Sequence, residues 1–146
     1  MNEIVASLLA FIVQYSDFPA PPAPPVIEFK AAAEFERNAC PVRANCAARG
    51  YYEDGTGTIV LHEDLRELAT IEHRGLVVHE LVHYLQDLSG QYKGEQTCVI
   101  WRDRERQAFV HQLRYMTREA GHRSLRYLMP HLSIEQCEKA KRRQQR

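Results

Sequence analysis

The sequence predicts an α+β fold in a single domain over residues 1–146, with a small β-sheet or hairpin beside a pair of longer helices. Three observations carry that prediction. Apolar residues recur at helical spacing at positions 4, 5, 8, 9, 12 and 13, and again at 78, 81, 82 and 85. A β-branched run, Thr58-Ile59-Val60-Leu61, follows a glycine-rich turn. Helices and strands come in mixed order with no internal repeat. At 146 residues, 45% hydrophobic and 26% charged, the chain can bury its own core and is ordinary for a soluble globular protein.

The first element spans residues 1–16. It contains the apolar run ASLLAFIV, but Glu3 is the only charged side chain before that run, where a signal peptide would carry a basic segment. An amphipathic first helix is the better reading. Residues 17–25 hold five of the chain's seven prolines and read as an extended connector on the surface. VIEFK (26–30) alternates as a strand does, and a short helical stretch follows at 31–38. Tyr51-Tyr52, the turn at Asp54-Gly55 and TIVL form a hairpin. A helix then runs from Thr70 as N-cap to Leu88 or Ser89, stopped by Gly90. A further helix covers about 95–119, and a last one begins at Ser133, with Gln136 completing a capping box.

Nineteen basic and nineteen acidic residues cancel, so no global charge attracts nucleic acid or an anionic membrane. The basic tail KAKRRQQR (139–146) reads as a solvated, frayed end. No segment reaches the roughly eighteen apolar residues that a membrane span needs. Four cysteines, Cys40, Cys46, Cys98 and Cys137, permit three connectivities, among which the sequence does not choose. Cys40 and Cys46 flank a turn-like PVRAN and suit a local pair, which would leave Cys98 and Cys137 to tie the central helices to the last one. Paired cysteines favour an extracytoplasmic compartment, periplasmic or secreted; four free buried thiols in a cytoplasmic protein are the alternative.

Within VVHELVHYLQ (77–86), His79-Glu80-x-x-His83 spells HExxH, a pattern that shuffling of this composition produces about 3% of the time. Its setting gives it weight. On a helix His79 and His83 share a face and can reach one metal ion, while Val78, Leu81, Val82 and Leu85 form an apolar stripe on another face. A buried glutamate beside the first histidine is costly unless a cation or its water partners it. Two histidines leave a catalytic zinc one protein ligand short. A metzincin would carry glycine and histidine where this chain has Gln86 and Ser89. A glutamate from a second helix is the remaining common solution. Glu105 is best placed within 98–116, because the intervening residues let the first helix end, turn and return antiparallel. Glu95, Asp103 and Glu119 compete from the turn, another face and far down the helix.

With those residues in view, the chain resembles the gluzincins, zincins whose two HExxH histidines are joined by a downstream glutamate, and especially their minimal single-domain members. RGLVVHELVHYLQ is similar to their active-site helix, and ERQAF to their second-helix motif, whose first glutamate is the ligand and matches Glu105. The chain also resembles small bacterial proteins with paired cysteines around such a helix pair. Gln107 replaces the motif's second glutamate, and Phe109 stands where an acid often supports a ligand histidine; Asp87 is a possible substitute. The resemblance is specific over about 70–115, the metal-site helix pair lying within 70–119.

The resemblance implies a zincin-like fold, a Zn2+ ion on His79, His83 and Glu105 with water in the fourth position, and Glu80 as general base in peptide-bond hydrolysis. A peptide or protein is the substrate it implies. TIVLH fits the place of the strand that rims a zincin cleft, although an ordinary core strand fits as well. Tyr92, Tyr115, His122 and Tyr127 are candidates to stabilise the oxyanion. The alternatives are a non-catalytic zinc-binding interaction module of the same fold, and a metal-free helical domain.

Overall fold

Val5, Leu8, Leu9, Phe11 and Ile12 lie on one buried stripe and make α1, Asn2–Gln14, the amphipathic helix that their spacing predicts. The structure, a computed structural model, describes residues 1–39, 48–121 and 129–145. The proline-rich stretch follows as an extended connector. Phe18 is buried at its start, and the Tyr84 hydroxyl donates to its Ala23 carbonyl at 2.7 Å.

Next come β1 (Val26–Lys30), α2 (Ala32–Ala39), β2 (Gly50–Glu53) and β3 (Thr58–His62), then a single 3-10 turn at Glu63–Leu65. The three strands form one sheet in the order β1-β3-β2. β3 runs parallel to β1, with Ile27 opposite Ile59, and antiparallel to β2, with Tyr52 opposite Ile59. The expected hairpin is therefore β2–β3. Its turn uses Gly55 and Gly57 at φ of 82° and 70°, a left-handed conformation that side chains with a Cβ resist. Ile59, Val60 and Leu61 are fully buried. TIVLH is thus the central core strand and not a cleft rim, because strands pair on both of its edges.

The HExxH segment lies in α3, Ile71–Ser89. Thr70 caps it by accepting from the His73 amide at 3.1 Å, and Gly90 ends it in the left-handed conformation. The following helix, α4, runs Cys98–Ala120 and not from 95, since the Thr97 hydroxyl accepts from the Ile100 amide and fixes the start there. Gly75 faces Met116, His79 faces Gln112 and Gln86 reaches Arg104, so α3 and α4 run antiparallel. A Cβ on Gly75 would stand 2.7 Å from Met116 Cγ, and its absence allows the close approach. The core joins α1, β3, α3 and α4 through residues such as Ile12, Leu61, Val78, Leu81 and Ala108.

The last helix, α5 (Ile134–Gln144), starts at the predicted Ser133 cap, whose hydroxyl accepts from the Gln136 amide at 3.2 Å. It continues through most of the basic tail, so that tail is helical and not frayed, although none of its side chains is buried. A Cys98–Cys137 disulfide ties it to the first residue of α4. Cys40 and Cys46 lie outside the described residues. No helix among the described residues is long and apolar enough to cross a membrane.

Candidate metal centre

One helical turn separates His79 from His83 on α3, and the return of α4 brings Glu105 against both. His79 Nε2 lies 3.2 Å from Glu105 Oε2, His83 Nε2 lies 3.2 Å from Glu105 Oε1, and the two Nε2 atoms lie 3.2 Å apart. These are the three residues that the spacing brought forward. Ligands at the roughly 2.0–2.1 Å typical of zinc–nitrogen bonds stand about 3.3 Å apart along the edges of a tetrahedron. The triangle has that size.

The outer faces of the rings decide what the triangle can hold. His79 Nδ1 lies 3.1 Å from Gln112 Oε1, and His83 Nδ1 lies 2.8 Å from Gln86 Oε1. Gln86 is only 1% exposed, and its amide nitrogen donates to the Arg104 carbonyl at 3.0 Å and to Gln107 Oε1 at 2.8 Å. A carbonyl accepts only, so the Gln86 oxygen must face His83, and Nδ1 of His83 must carry the proton. The amide oxygen of Gln112 imposes the same tautomer on His79. With the rings neutral, both Nε2 atoms then present lone pairs to each other and to a carboxylate, whereas an imidazolium, where no cation is bound, donates from Nε2 to Glu105 instead. Three acceptors converging at this spacing fit a cation, and among the described residues His79, His83 and Glu105 are the group with metal-binding geometry.

The centre opens into a cleft of about 680 Å³. Glu80 lines it and is only 7% exposed. Burial pushes the Glu80 carboxyl above its ordinary range, against the opposing pull of His79 and His83 and a hydrogen bond from the Tyr52 backbone amide. Burial also acts to raise Glu105, but its hydrogen bonds to His79 and His83 overcome that and hold the carboxyl well below the usual range. For His83, burial favours the neutral ring, and the hydrogen bond that the protonated ring donates to Glu105, with the charge of Glu80, outweighs it and raises the imidazole. Phe109 closes one side, its ring centroid 4.4 Å from that of His79.

β2 forms the opposite rim. A Cβ on Gly50 would stand 3.4 Å from Glu80 Cγ, so the strand passes directly over the glutamate. The His62 amide donates to the Arg49 carbonyl at 2.8 Å, and Arg49 precedes the Gly50–Leu61 pair. Bonded and non-bonded pairs alternate along an antiparallel ladder, so the backbone groups of Gly50 and Tyr52 turn away from β3, toward the cleft. The hydrogen bond from the Tyr52 backbone amide to Glu80 agrees with that direction.

Other expected residues lie elsewhere. Asp87 accepts from the Tyr52 hydroxyl at 2.5 Å and from the Gly55 amide at 3.0 Å, so it braces the hairpin turn and does not support His83. Gln86, one position earlier, does. Tyr115 is buried in the core and takes a hydrogen bond from Arg74 at 3.0 Å, and Tyr92 lines a separate, smaller cavity beside Asp87. Neither faces the metal triangle. His122 and Tyr127 lie outside the described residues. Gln112, Gln86 and the rim residues of β2 were not anticipated as parts of the site, although Gln112 stands two turns after Glu105, where a shared face is legible.

No protein-family model matches the sequence, and comparisons with curated proteins and with solved structures gave no significant match.

Proposed function

We propose that the cleft binds a zinc ion on His79, His83 and Glu105 and hydrolyses peptide bonds with Glu80 as general base, in a zincin-like arrangement. The observation that carries this reading is the convergence of three lone-pair donors at 3.2 Å, with a buried glutamate in the same cleft. Zinc bound there would polarise the scissile carbonyl and acidify a water toward a pKa of about 7. Gln86 and Gln112 hold both imidazoles in the tautomer that ligates through Nε2. Glu80, made more basic by burial, takes the proton of the attacking water and passes it to the departing amine. Phe109 limits access of bulk water to His79. The outward backbone groups of Gly50 and the outward carbonyl of Tyr52 offer an extended peptide a strand to pair with, which places its chain across Glu80.

The test pairs elemental analysis with a cleavage assay on a mixed peptide pool. Stoichiometric zinc in the wild-type protein is expected, with Glu80→Gln retaining the metal and losing activity by at least about a hundredfold. Protein without metal affinity refutes the whole reading. Zinc-loaded wild-type protein that cleaves nothing refutes the hydrolase and leaves the non-catalytic zinc module.

A further inference from the structure

α5 adds no buried side chain to the core, yet two attachments hold it at the cleft. Cys137 is bonded to Cys98, and the Lys141 ammonium donates to the Gln96 carbonyl. Cys137 and Lys141 are one turn apart on α5, and both line the cleft that contains His79, His83 and Glu105. Trp101 also lines it, four residues before Glu105 on α4 and so on the same face as that ligand. An indole, a disulfide and a lysine therefore form one wall beside the metal triangle.

The charges of the cleft single out the lysine. Arg104 is paired with Asp54 at 2.6 Å, Arg49 with Asp64 at 3.6 Å, and Glu105 with the two histidines. Among the described residues no carboxylate stands within ion-pair distance of Lys141, whose one bond is to a neutral carbonyl. No neighbouring carboxylate neutralises it, and it has further donors for a ligand.

We propose that Trp101, the Cys98–Cys137 bridge and Lys141 form a substrate-selecting wall that takes a large apolar or aromatic side chain next to a carboxylate. This deepens the peptidase reading and rests on it for the substrate being a peptide. The indole and disulfide cover apolar surface, and Lys141 supplies the matching cation. The carboxylate belongs either to a peptide's free C-terminus or to an Asp or Glu side chain.

Trp101 is the chain's single tryptophan, so intrinsic fluorescence reports occupancy of this wall without any need for turnover. Four short peptides sharing one aromatic residue would be titrated: free C-terminus, amidated C-terminus, amidated with a neighbouring Glu, and amidated with a neighbouring Lys. A carboxylate-bearing peptide is expected to bind about tenfold tighter than the neutral amide, the size of one charge-assisted contact at a partly exposed site. Comparing the free terminus with the Glu peptide assigns the source of the carboxylate. Lys141→Met should erase the preference while keeping the apolar stem, and Lys141→Glu should turn it toward the Lys peptide. Equal affinities for all four peptides, a preference that survives Lys141→Met, or no fluorescence change with any peptide overturns the proposal. Cleavage is read separately by chromatography. Peptides cut without regard to charge refute the wall alone, whereas selective binding without cleavage refutes the peptidase and leaves the wall in place.

Discussion

Replacing Gln86 with Met tests the tautomer argument at its most constrained point. The side chain is 1% exposed, so no water replaces the acceptor that His83 Nδ1 loses at 2.8 Å. The ring is then free to turn or to change tautomer, and loss of such a support typically costs 10–100-fold in metal affinity, about 1.4–2.7 kcal/mol. The Arg104 carbonyl and Gln107 Oε1, both half-buried, also lose this donor, and each such hydrogen bond is worth roughly 0.5–1.5 kcal/mol of stability. Gln86→Glu separates the two effects. It keeps an oxygen on His83 but sets a carboxylate against the Arg104 carbonyl, so it should retain zinc and lose stability. Competition titration with a chromophoric chelator measures the affinity, and thermal denaturation of the metal-free proteins measures the stability. The reasoning is refuted if Gln86→Met binds zinc within twofold of wild type, or if Gln86→Glu loses as much affinity as Gln86→Met.

Two further outcomes are expected. The Cys98–Cys137 bridge closes a loop with a sequence separation of 39, for which chain entropy predicts a contribution of about 4 kcal/mol. Replacing both cysteines with Ala should lower the thermal midpoint by about 10–15 °C and alter Trp101 fluorescence while helix content is largely kept; an unchanged midpoint contradicts the tether. In the metal-free protein, the depressed Glu105 carboxyl contributes stability that is present above its unfolded value near about pH 4.3 and is lost as pH falls toward its folded value. The raised His83 contributes stability present below about pH 6.5 and lost as pH rises through its folded value. Stability of the metal-free protein should therefore fall on both sides of a mildly acidic optimum, and saturating zinc, which requires neutral imidazole, should remove the alkaline fall. Denaturation midpoints across pH with and without zinc check both signs.

Much of the fold is legible locally. Thr70 and Ser133 each accept from an amide three residues on and marked two helix starts, while Thr97 caps α4 in the same way, three residues after the start expected near 95. The glycines of the β2–β3 turn marked the hairpin in the same way. The misreadings concern partners distant in sequence. TIVLH is a core strand because VIEFK, far earlier in the chain, pairs parallel with its other edge, and nothing within five residues of sequence encodes that pairing. The basic tail stays helical because Cys137 and Lys141 bind it to residues about forty positions earlier.

The same distinction explains the site. A helix converts a spacing of four into a shared face, so His79 and His83 could be read directly, and the antiparallel return of α4 made Glu105 the natural third member. Asp87 was the wrong supporting residue for a reason of angle. It lies about 100° around the helix from Gln86, and that rotation carries its carboxylate to the Tyr52 hydroxyl and the hairpin turn. Gln86 is not legible in the sequence because a neutral amide carries no signature there; its orientation is set by the Arg104 carbonyl and Gln107 Oε1 on the opposing helix. Spacing along one helix thus specifies which atoms can ligate. The tautomer they ligate in, and the chain that can lie beside them, depend on contacts between α3 and α4, between β2 and Glu80, and between α5 and the start of α4. A substitution that shifts the register of α4 by one residue should therefore abolish metal affinity with every ligand still present, since Gln112 and Glu105 would leave His79 together.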